Sequence, residues 1–507
     1  MADPGDRLLT LSPLLHQLEP VLLAQDQPVY LVGGAVRDAL RDEAYHDLDF
    51  AVAAEAIPLA FAVGNALKLP AYALDRERDV GRVVLPDSNA FLDFAAFRGP
   101  TLEADLRDRD FTINALALPT GIRHVAGIID PCDGQADLAA GLIRLTHPQA
   151  ITADPVRALR ALRMVIRFQA VMTADTEQAV RAAAPDLNTI SPERVRDELL
   201  KLLMSPAPGR AVQMMAALDL LPVILPEIAA LAPVEQSPPH HEPVLAHTVS
   251  VLQLLAAVEA MVVAQQEIDP AISADVAAAL LAAQADLDRF SPGLQAHFSR
   301  PVDGGLSGAE LLRLGALFHD AGKAQTQTIA EGPQGSRIRF LGHEGVSAQL
   351  AGQCLRRLHF SNAAVDYVKH IVQGHMRPLL LTQLTRRAIY RYFRATGPAG
   401  LDIGLLSLAD HLAMYGGPGP AGTWDALLAR IVTLFTHYFN HHEETVTPPP
   451  LVSGSDIMQH VGIRPGPEVG DLLEKIAEAQ ATGEIHTSQE ALQLAGDLHA
   501  TKQGERD

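Results

Sequence analysis

The chain has 507 residues, 48% of them hydrophobic, which is ample for several cores and suggests roughly three domains. Its formal net charge of −20 argues against generic affinity for nucleic acid, which needs basic surface, so a polynucleotide would have to meet a local basic strip. The two cysteines, Cys132 and Cys354, have no metal-type spacing and fit a reducing cytoplasm. The N-terminus lacks a basic region before its apolar part and is a poor signal peptide. Apolar stretches are interrupted by charges before spanning length, so no membrane helix is expected.

Residues 1–27 read as an amphipathic helical arm with a Pro-marked entry. Residues 28–150 alternate strand-like and helix-like runs, including Gly81–Leu85 and Phe91–Phe97, which suits a small mixed sheet with helices on one side. The most informative stretch is VYLVGGAVRDALRDEAYHDLDFAVA, residues 29–53. An apolar run, Val29–Val32, reaches Gly33 and Gly34; a short helix-like stretch with Arg37 follows, then a second strand-like run carrying Asp47 and Asp49. Alternate residues of a strand point to the same side, so both carboxylates face one way. Paired aspartates are hard oxygen ligands suited to Mg²⁺. Gly33 and Gly34 let backbone N–H groups approach a phosphate, the helix start favours an anion, and Arg37 adds a planar cation. Taken singly, the glycines read as a tight turn and Asp-x-Asp as a loop or cap. Together they suggest chemistry on a nucleoside triphosphate. GG-x-V-R-D followed by D-x-D-F resembles the signature of class II tRNA nucleotidyltransferases, the CCA-adding enzymes and their poly(A) polymerase relatives, within the polymerase-beta-like nucleotidyltransferase superfamily.

Asp93, in FLDFAAF, falls where the resemblance implies a third carboxylate that shares the metals and helps deprotonate the attacking hydroxyl; alternation alone leaves its face open. LRDRDFTINALAL, residues 106–118, resembles the family motif R-R-D-F-T-I-N-A, with Asp108 where the family usually has arginine. The resemblance implies that Arg109 clamps the triphosphate while Asp110 and Asn114 hold ribose hydroxyls and the neighbouring loop; from the residues alone, both read equally as turn or cap groups. Only six residues, GPTLEA, separate Arg98 from Asp105. Full CCA-adding members usually carry a longer flexible loop there, so the resemblance implies addition of CC only, with the terminal A left to a partner. DPCDGQADL (130–138) with Ile143-Arg144 resembles an architectural turn closing the head. The candidate basic strip is Arg98, Arg107, Arg109, Arg123, Arg144, Arg157, Arg160, Arg163 and Arg167.

From 151 onward helical patterns dominate. In ADPVRALRALRMVIRF, residues 153–168, Asp154-Pro155 reads as a helix start, and Arg157, Arg160 and Arg163 share a broad face. Alone this is a cap and a solvated basic face. It resembles the family's E-D-x-x-R-x-x-R motif, with Ala153 replacing the glutamate. The motif's chemistry is readable. Cytosine and adenine both offer an exocyclic amino donor beside a ring-nitrogen acceptor, so Asp154 would accept and Arg157 would donate, selecting C and A without a template. Arg160 and Arg163 would bind phosphates or support that pair. ISPERVRDELLKLL, 190–203, has a Ser191 cap with Glu193 and Arg194 in its first turn and resembles a bracing motif of the neck.

Proline-rich breaks at 231–243, 416–422 and 446–451 are candidate boundaries, and the Ala-rich helical segment 255–300 reads as an insertion. Downstream, His247, His319-Asp320, His343, His375 and Asp410 each sit in helix-like contexts. A lone helical histidine is ordinarily satisfied packing, though imidazole is also a common metal ligand. The set resembles the HD phosphohydrolase superfamily. That resemblance implies one divalent metal on His247, His319, Asp320 and Asp410, with His343 and His375 for a second metal or a phosphate; mixed imidazole and carboxylate ligation suits Mn, Fe, Ni, Co or Zn. The last segment, from LVSGSD to GEIHTSQEALQLA, resembles the family's C-terminal pattern and implies helical packing and contact with the body of tRNA.

The expectation is therefore an α+β chain: a polymerase-beta-like head with a mixed sheet, followed by an all-α neck, body, HD domain and tail. Expected boundaries are 1–27 for the arm, 28–150 for the head, 151–235 for the neck, 240–415 for the HD domain with its insertion, and 416–507 for the tail. The implied function is addition of C and/or A to the 3′ end of tRNA, either the full CCA or CC only, from CTP and ATP, using Mg²⁺ on Asp47 and Asp49. A transition metal would occupy the HD cluster, and the partners would be tRNA and nucleotides in the cytoplasm, with no membrane. The competing readings are a poly(A) polymerase and an HD phosphohydrolase whose head only binds RNA.

Overall fold

The computed structural model describes residues 7–44, 47–85, 90–266, 272–303, 305–332 and 335–504. The chain forms two compact units, one from residues 1–198 with 217–223, the other from 199–216 with 224–507.

The first unit opens with helix α1 (Pro13–Leu23). Strand β1 (Tyr30–Val32), helix α2 (Gly34–Leu40), strand β2 (Leu48–Val52) and helix α3 (Ala56–Leu67) follow. Strands β3 (Ala71–Asp75), β4 (Val80–Leu85) and β5 (Ala90–Ala96), helix α4 (Leu102–Arg107) and strand β6 (Ala117–Pro119) complete the sheet layer. The six strands lie in the order β3-β4-β5-β2-β1-β6. β2 and β5 are parallel and the other neighbours antiparallel.

Period-two alternation divides the sheet into two chemically different faces. Leu31, Phe50, Val52, Val83, Leu92, Phe94 and Leu118 share a core with Leu15, Leu18 and Leu22 of α1, Val36 of α2, and Leu59 and Val63 of α3. The Phe50 and Phe94 rings stack at 4.8 Å. Gly81 permits this packing, because a Cβ there would lie 2.5 Å from the Ala60 Cβ of α3. On the opposite face Val32, Ala51 and Ala117 are buried with Leu102 and Leu106 of α4, whose start is fixed by Thr101 accepting from the Ala104 N–H. The expectation of helices on one side only is thus corrected: α4 covers part of the second face. One rung of that face runs Tyr72–Arg82–Asp93–Asp49–Val32–Ala117 across all six strands, charged in its middle and apolar at the α4 end.

Beyond the sheet, helix Arg157–Phe168 buries Leu159, Leu162, Val165 and Ile166 and turns its arginines to a polar side. Helix Pro192–Leu203 supplies Arg194 and Glu198 to the same unit.

The second unit is mainly helical. Helices Val244–Val262, Gly308–Phe318, Asn362–Gly374 and Ala399–Tyr415 pack on one another, with a hairpin of strands Gln327–Gly332 and Gly335–Phe340 beside them. Val244–Val262 corrects the expectation that no apolar stretch reaches spanning length. By length and composition it is able to cross a bilayer, but 67% of its apolar window is buried in the bundle. Segment 255–300 includes the end of that helix and helices Ala274–Leu287 and Ser291–Ser299, with Leu280, Leu287 and Phe290 buried. Its residues 267–271 lie outside the described residues, as do 1–6 of the N-terminal arm. Helices Gly454–Val461, Pro467–Thr482 and Ser488–Gly504 gather around Ile457, Leu472, Ile476 and Ala491.

Candidate active site

The charged middle of the rung holds the first cluster. Asp49 and Asp93 are register partners on the parallel strands β2 and β5, so their side chains project side by side. Asp47, one strand period earlier, is exposed, and its Oδ1 accepts the Phe91 N–H at 3.1 Å. Crowding by surrounding protein pushes the Asp49 carboxyl up to about 6; Arg109 opposes the rise, Asp93 and Asp47 add to it, and Arg82 opposes it. Solvent reaches Asp49, so repulsion from the neighbouring carboxylates is the durable part of the rise. Three acidic groups that repel one another in this way have the donor chemistry for a hard divalent cation. Asp93 itself is held by Arg82, whose Nε and Nη2 donate to Oδ1 and Oδ2 at 2.7 and 2.6 Å.

Beside this cluster the Gly33-Gly34 turn starts α2. Gly33 has φ +69°, and a Cβ on it would meet Arg109 Nη1 at 2.8 Å, so the turn and the Arg109 guanidinium lie against one another. Arg37 is placed differently from a phosphate clamp. It is 5% exposed, sits 4.7 Å over the Phe168 ring, and donates to Asp38 and to Asn114 Oδ1. Its guanidinium therefore braces the turn from beneath.

A continuous polar chain leads away from the turn. Asn114 accepts from Arg37 and donates to Asp110 Oδ1 at 2.9 Å. Asp110, buried, also accepts the Phe111 N–H at 2.8 Å and Arg160 Nη1 at 2.9 Å. Burial alone would raise its pKa, but Arg160 and Asn114 outweigh it and hold the carboxyl below its ordinary value. Glu198, 4% exposed, accepts from Arg163 at 3.0 Å and lies 3.8 Å from Arg160.

Arg157, which was expected to face a base, spends its donors on backbone: Ala150 O at 3.0 Å, Asp108 O at 3.1 Å and Arg109 O at 3.5 Å. It fixes the segment that carries Arg109 and Asp110. Asp154 Oδ2 accepts Arg194 Nη2 at 2.6 Å, whereas its Oδ1 is buried with no hydrogen-bond partner among the described residues. A buried acceptor left open is costly unless something else donates to it. The expected basic strip is largely neutralised internally. Arg98, Arg109, Arg123, Arg144, Arg160, Arg163 and Arg167 each pair with a carboxylate.

The histidine cluster lies wholly in the second unit. His319, His343 and His375 each approach the backbone carbonyl three residues earlier through Nδ1, at 2.7, 2.8 and 2.7 Å. A carbonyl can only accept, so each Nδ1 carries a proton, and Nε2 presents a lone pair wherever the ring is neutral; at His319 burial disfavours the charged ring, but the Asp320 carboxylate outweighs it and raises the pKa. Two ligand groups, His247/His319/Asp320 and Asp320/His343/His375, have their ligand atoms within 4.8 Å of one another and share Asp320. His319 Nε2 is buried, has no hydrogen-bond partner among the described residues, and lies 3.2 Å from Asp320 Oδ2. Asp410 Oδ1 sits 2.9 Å from His247 Nε2. Burial would raise Asp320, but His319 and Lys323 hold it well below the usual carboxylate range. Burial, reinforced by His319, pushes His375 down to about 4, keeping the ring neutral. The cluster opens on a cavity of about 270 Å³ that His240, Lys323, Arg337 and Arg339 also line. Lys323 spans Asp320 at 2.7 Å and Gln236 at 2.7 Å. HDAGK carries Lys323 in the sequence, but nothing local marks His240 or Gln236, which arrive on a separate loop.

Comparison with known proteins shows the family. Residues 29–144 match the poly A polymerase head domain, 172–231 a probable RNA and SrmB-binding site of polymerase A, 296–415 the HD domain, and 439–495 tRNA nucleotidyltransferase domain 2. The A-adding tRNA nucleotidyltransferase of Deinococcus radiodurans is 35% identical over 91% of this chain and 93% of its own length. The chain belongs to the class II tRNA nucleotidyltransferase family. A second member, the CC-adding enzyme of Thermus thermophilus, is 30% identical over 91% of both chains. Among solved structures, a CCA-adding enzyme in complex with CTP aligns over 95% of each chain with a TM-score of 0.58 at 20% identity. The Thermotoga maritima CCA-adding enzyme complexed with tRNA aligns over 96% of this chain and 95% of its own, at 0.54 and 19%. These last likenesses establish the fold of a tRNA nucleotidyltransferase: a mixed-sheet head followed by helices, as expected from the sequence.

Proposed function

We propose that this protein transfers nucleotides from CTP or ATP to the 3′ end of tRNA, with Asp47, Asp49 and Asp93 as its catalytic carboxylates. The observation that carries this is the rung in which Asp49 and Asp93 stand adjacent, beside the Gly33–Arg109 contact. The tRNA 3′-hydroxyl attacks the α-phosphate, the new phosphodiester forms, the bond to pyrophosphate breaks, and the hydroxyl proton passes to a carboxylate of the cluster. Divalent cations held by these carboxylates, with Mg²⁺ the expected ion, would supply Lewis-acid stabilisation of the attacking and leaving oxygens. Gly33, Gly34 and Arg109 receive the triphosphate, and Arg37 holds their turn from below. The open Oδ1 of Asp154 accepts the exocyclic amino group of cytosine or adenine. Arg157 fixes the Asp108–Arg109 backbone beside it and is the donor for the ring nitrogen once a base displaces a backbone contact. In this assignment the arm is 1–27, the head 28–150, the neck 151–235, the HD domain 240–415 and the tail 416–507.

The product is a partial 3′ end. Support for CC addition comes from the short link between Arg98 and Asp105, which runs directly into α4 with no room for a long loop. Addition of A alone is a second reading, favoured by the 35% identity with the Deinococcus enzyme. Incubating tRNA that ends before C74, and tRNA that ends in CC, with CTP and ATP together decides between them. Two added C residues on the first substrate support CC addition. One added A on the second, with none on the first, supports A addition, and extension through CCA refutes both. The histidine cluster is proposed as a two-metal phosphohydrolase site, tested by metal analysis and a cyclic-nucleotide hydrolysis assay; metal-free wild-type protein would reject it.

A further inference from the structure

Arg82 has no part in the function as stated, and its placement is unusual. It faces Asp93 directly across the antiparallel β4/β5 pair and therefore shares the face of Asp49. Its guanidinium lies 4.4 Å over the Phe91 ring, which locks the stem, and its fork takes both oxygens of Asp93. A bidentate fork is the strongest ion-pair geometry open to a carboxylate. The pair is about a quarter exposed, so the arginine is held without being sealed in. A cation entering between Asp49 and Asp93 would approach a carboxylate whose charge is already matched.

We propose that Arg82 is a resident counter-ion that competes with divalent metal for Asp93, setting how much metal the head needs before it can work. The proposal rests on Asp93 belonging to the metal-bearing group. In the free protein the guanidinium quiets the repulsion among the three aspartates. When metal arrives, Arg82 must release at least one oxygen, and Coulomb repulsion between the guanidinium and the cation weakens binding. Solvent screening at this exposure limits the effect to about tenfold in affinity.

The test uses full-length protein carrying Asp320→Ala, which removes the shared ligand of the histidine cluster, so that Mn²⁺ binding followed by electron paramagnetic resonance reports on the head. Arg82→Gln is expected to bind Mn²⁺ about tenfold more tightly than the arginine protein, and the Mg²⁺ concentration for half-maximal nucleotide incorporation should fall in step. Arg82→Met, which keeps the stem over Phe91, should behave alike, and Arg82→Lys, which keeps the charge, should stay near the parent. Unchanged or weaker Mn²⁺ binding in both neutral variants overturns the proposal and makes Arg82 a support for Asp93 instead. Asp93→Asn separates the two levels. If it leaves Mn²⁺ binding and incorporation intact, the assignment of Asp93 itself fails; if it abolishes them while Arg82→Gln changes nothing, only the competition fails.

Discussion

Replacing Asp110 by Asn keeps the shape of the side chain and removes its charge. The buried carboxylate accepts from Phe111, Asn114 and Arg160. Asparagine can keep the first two bonds through its one oxygen, but its amide then points donor hydrogens at the guanidinium of Arg160. A hydrogen bond to a charged group contributes about 1.5–3 kcal/mol. Arg160 is 34% exposed and lies 3.8 Å from Glu198, so water and Glu198 repair part of the loss, placing the cost at about 2 kcal/mol. The pH dependence has a defined sign. The folded-state carboxyl titrates below its ordinary value, so as pH falls the unfolded chain takes up the proton first. The stabilisation is therefore complete above about pH 4, the unfolded carboxyl's range, and drains away as pH drops through the depressed folded value. A chain of this length does not unfold in one step, so the suitable assay is native-state hydrogen exchange on peptides covering 108–118. Asp110→Asn should lower their protection by about 2 kcal/mol at pH 7, with the gap to wild type narrowing below pH 4. A gap that stays constant from pH 7 to 3.5, or one under about 0.5 kcal/mol, would refute the argument that charge on Asp110 holds the segment.

Gly33→Ala should raise KM for the nucleotide at least tenfold, because φ +69° disfavours alanine and its Cβ would push on Arg109; steady-state kinetics with CTP and ATP check this, and an unchanged KM removes the turn from the triphosphate site. Burial, with Glu227 adding repulsion, pushes the Cys354 thiol far above its ordinary value, while Cys132 is only partly buried. A disulfide reagent at pH 8 should thus modify Cys132 slowly and Cys354 only in denaturant, with native labelling of Cys354 by mass spectrometry the contrary result. Metal analysis should find two divalent ions at the histidine cluster, one after His343→Ala and none after Asp320→Ala, since Asp320 is common to both ligand groups; retention of both ions without Asp320 would contradict the shared-ligand arrangement.

What could be read from the chain was mostly what local periodicity carries. Alternation puts Asp47 and Asp49 on one side of their strand, and the HD run marks His319 and Asp320. Register between strands is not written locally. That Asp93 pairs with Asp49, and that Arg82 claims Asp93, follow from a β5 that is parallel to β2 and antiparallel to β4. Arg37 and Arg157 show the opposite difficulty. Each reads from the chain as a cation facing a ligand, whereas in the fold both are buried with their donors already engaged, on Asp38 and Asn114 in one case and on backbone carbonyls in the other. Arg194 read as a helix-start residue because its partner, Asp154, lies forty positions earlier. The same blindness to tertiary partners makes the arginine strip look basic when most of its charges are matched within the fold.

Nucleotide addition by this protein depends on the head carboxylates. The most direct measurement is sequencing of tRNA 3′ ends after reaction with CTP and ATP, comparing wild type with Asp49→Asn, with hydrolysis at the histidine cluster assayed in parallel. Asp49→Asn should leave the 3′ ends unextended while hydrolysis is unaffected. Extension at the wild-type rate by Asp49→Asn would show that these carboxylates do not carry out the transfer.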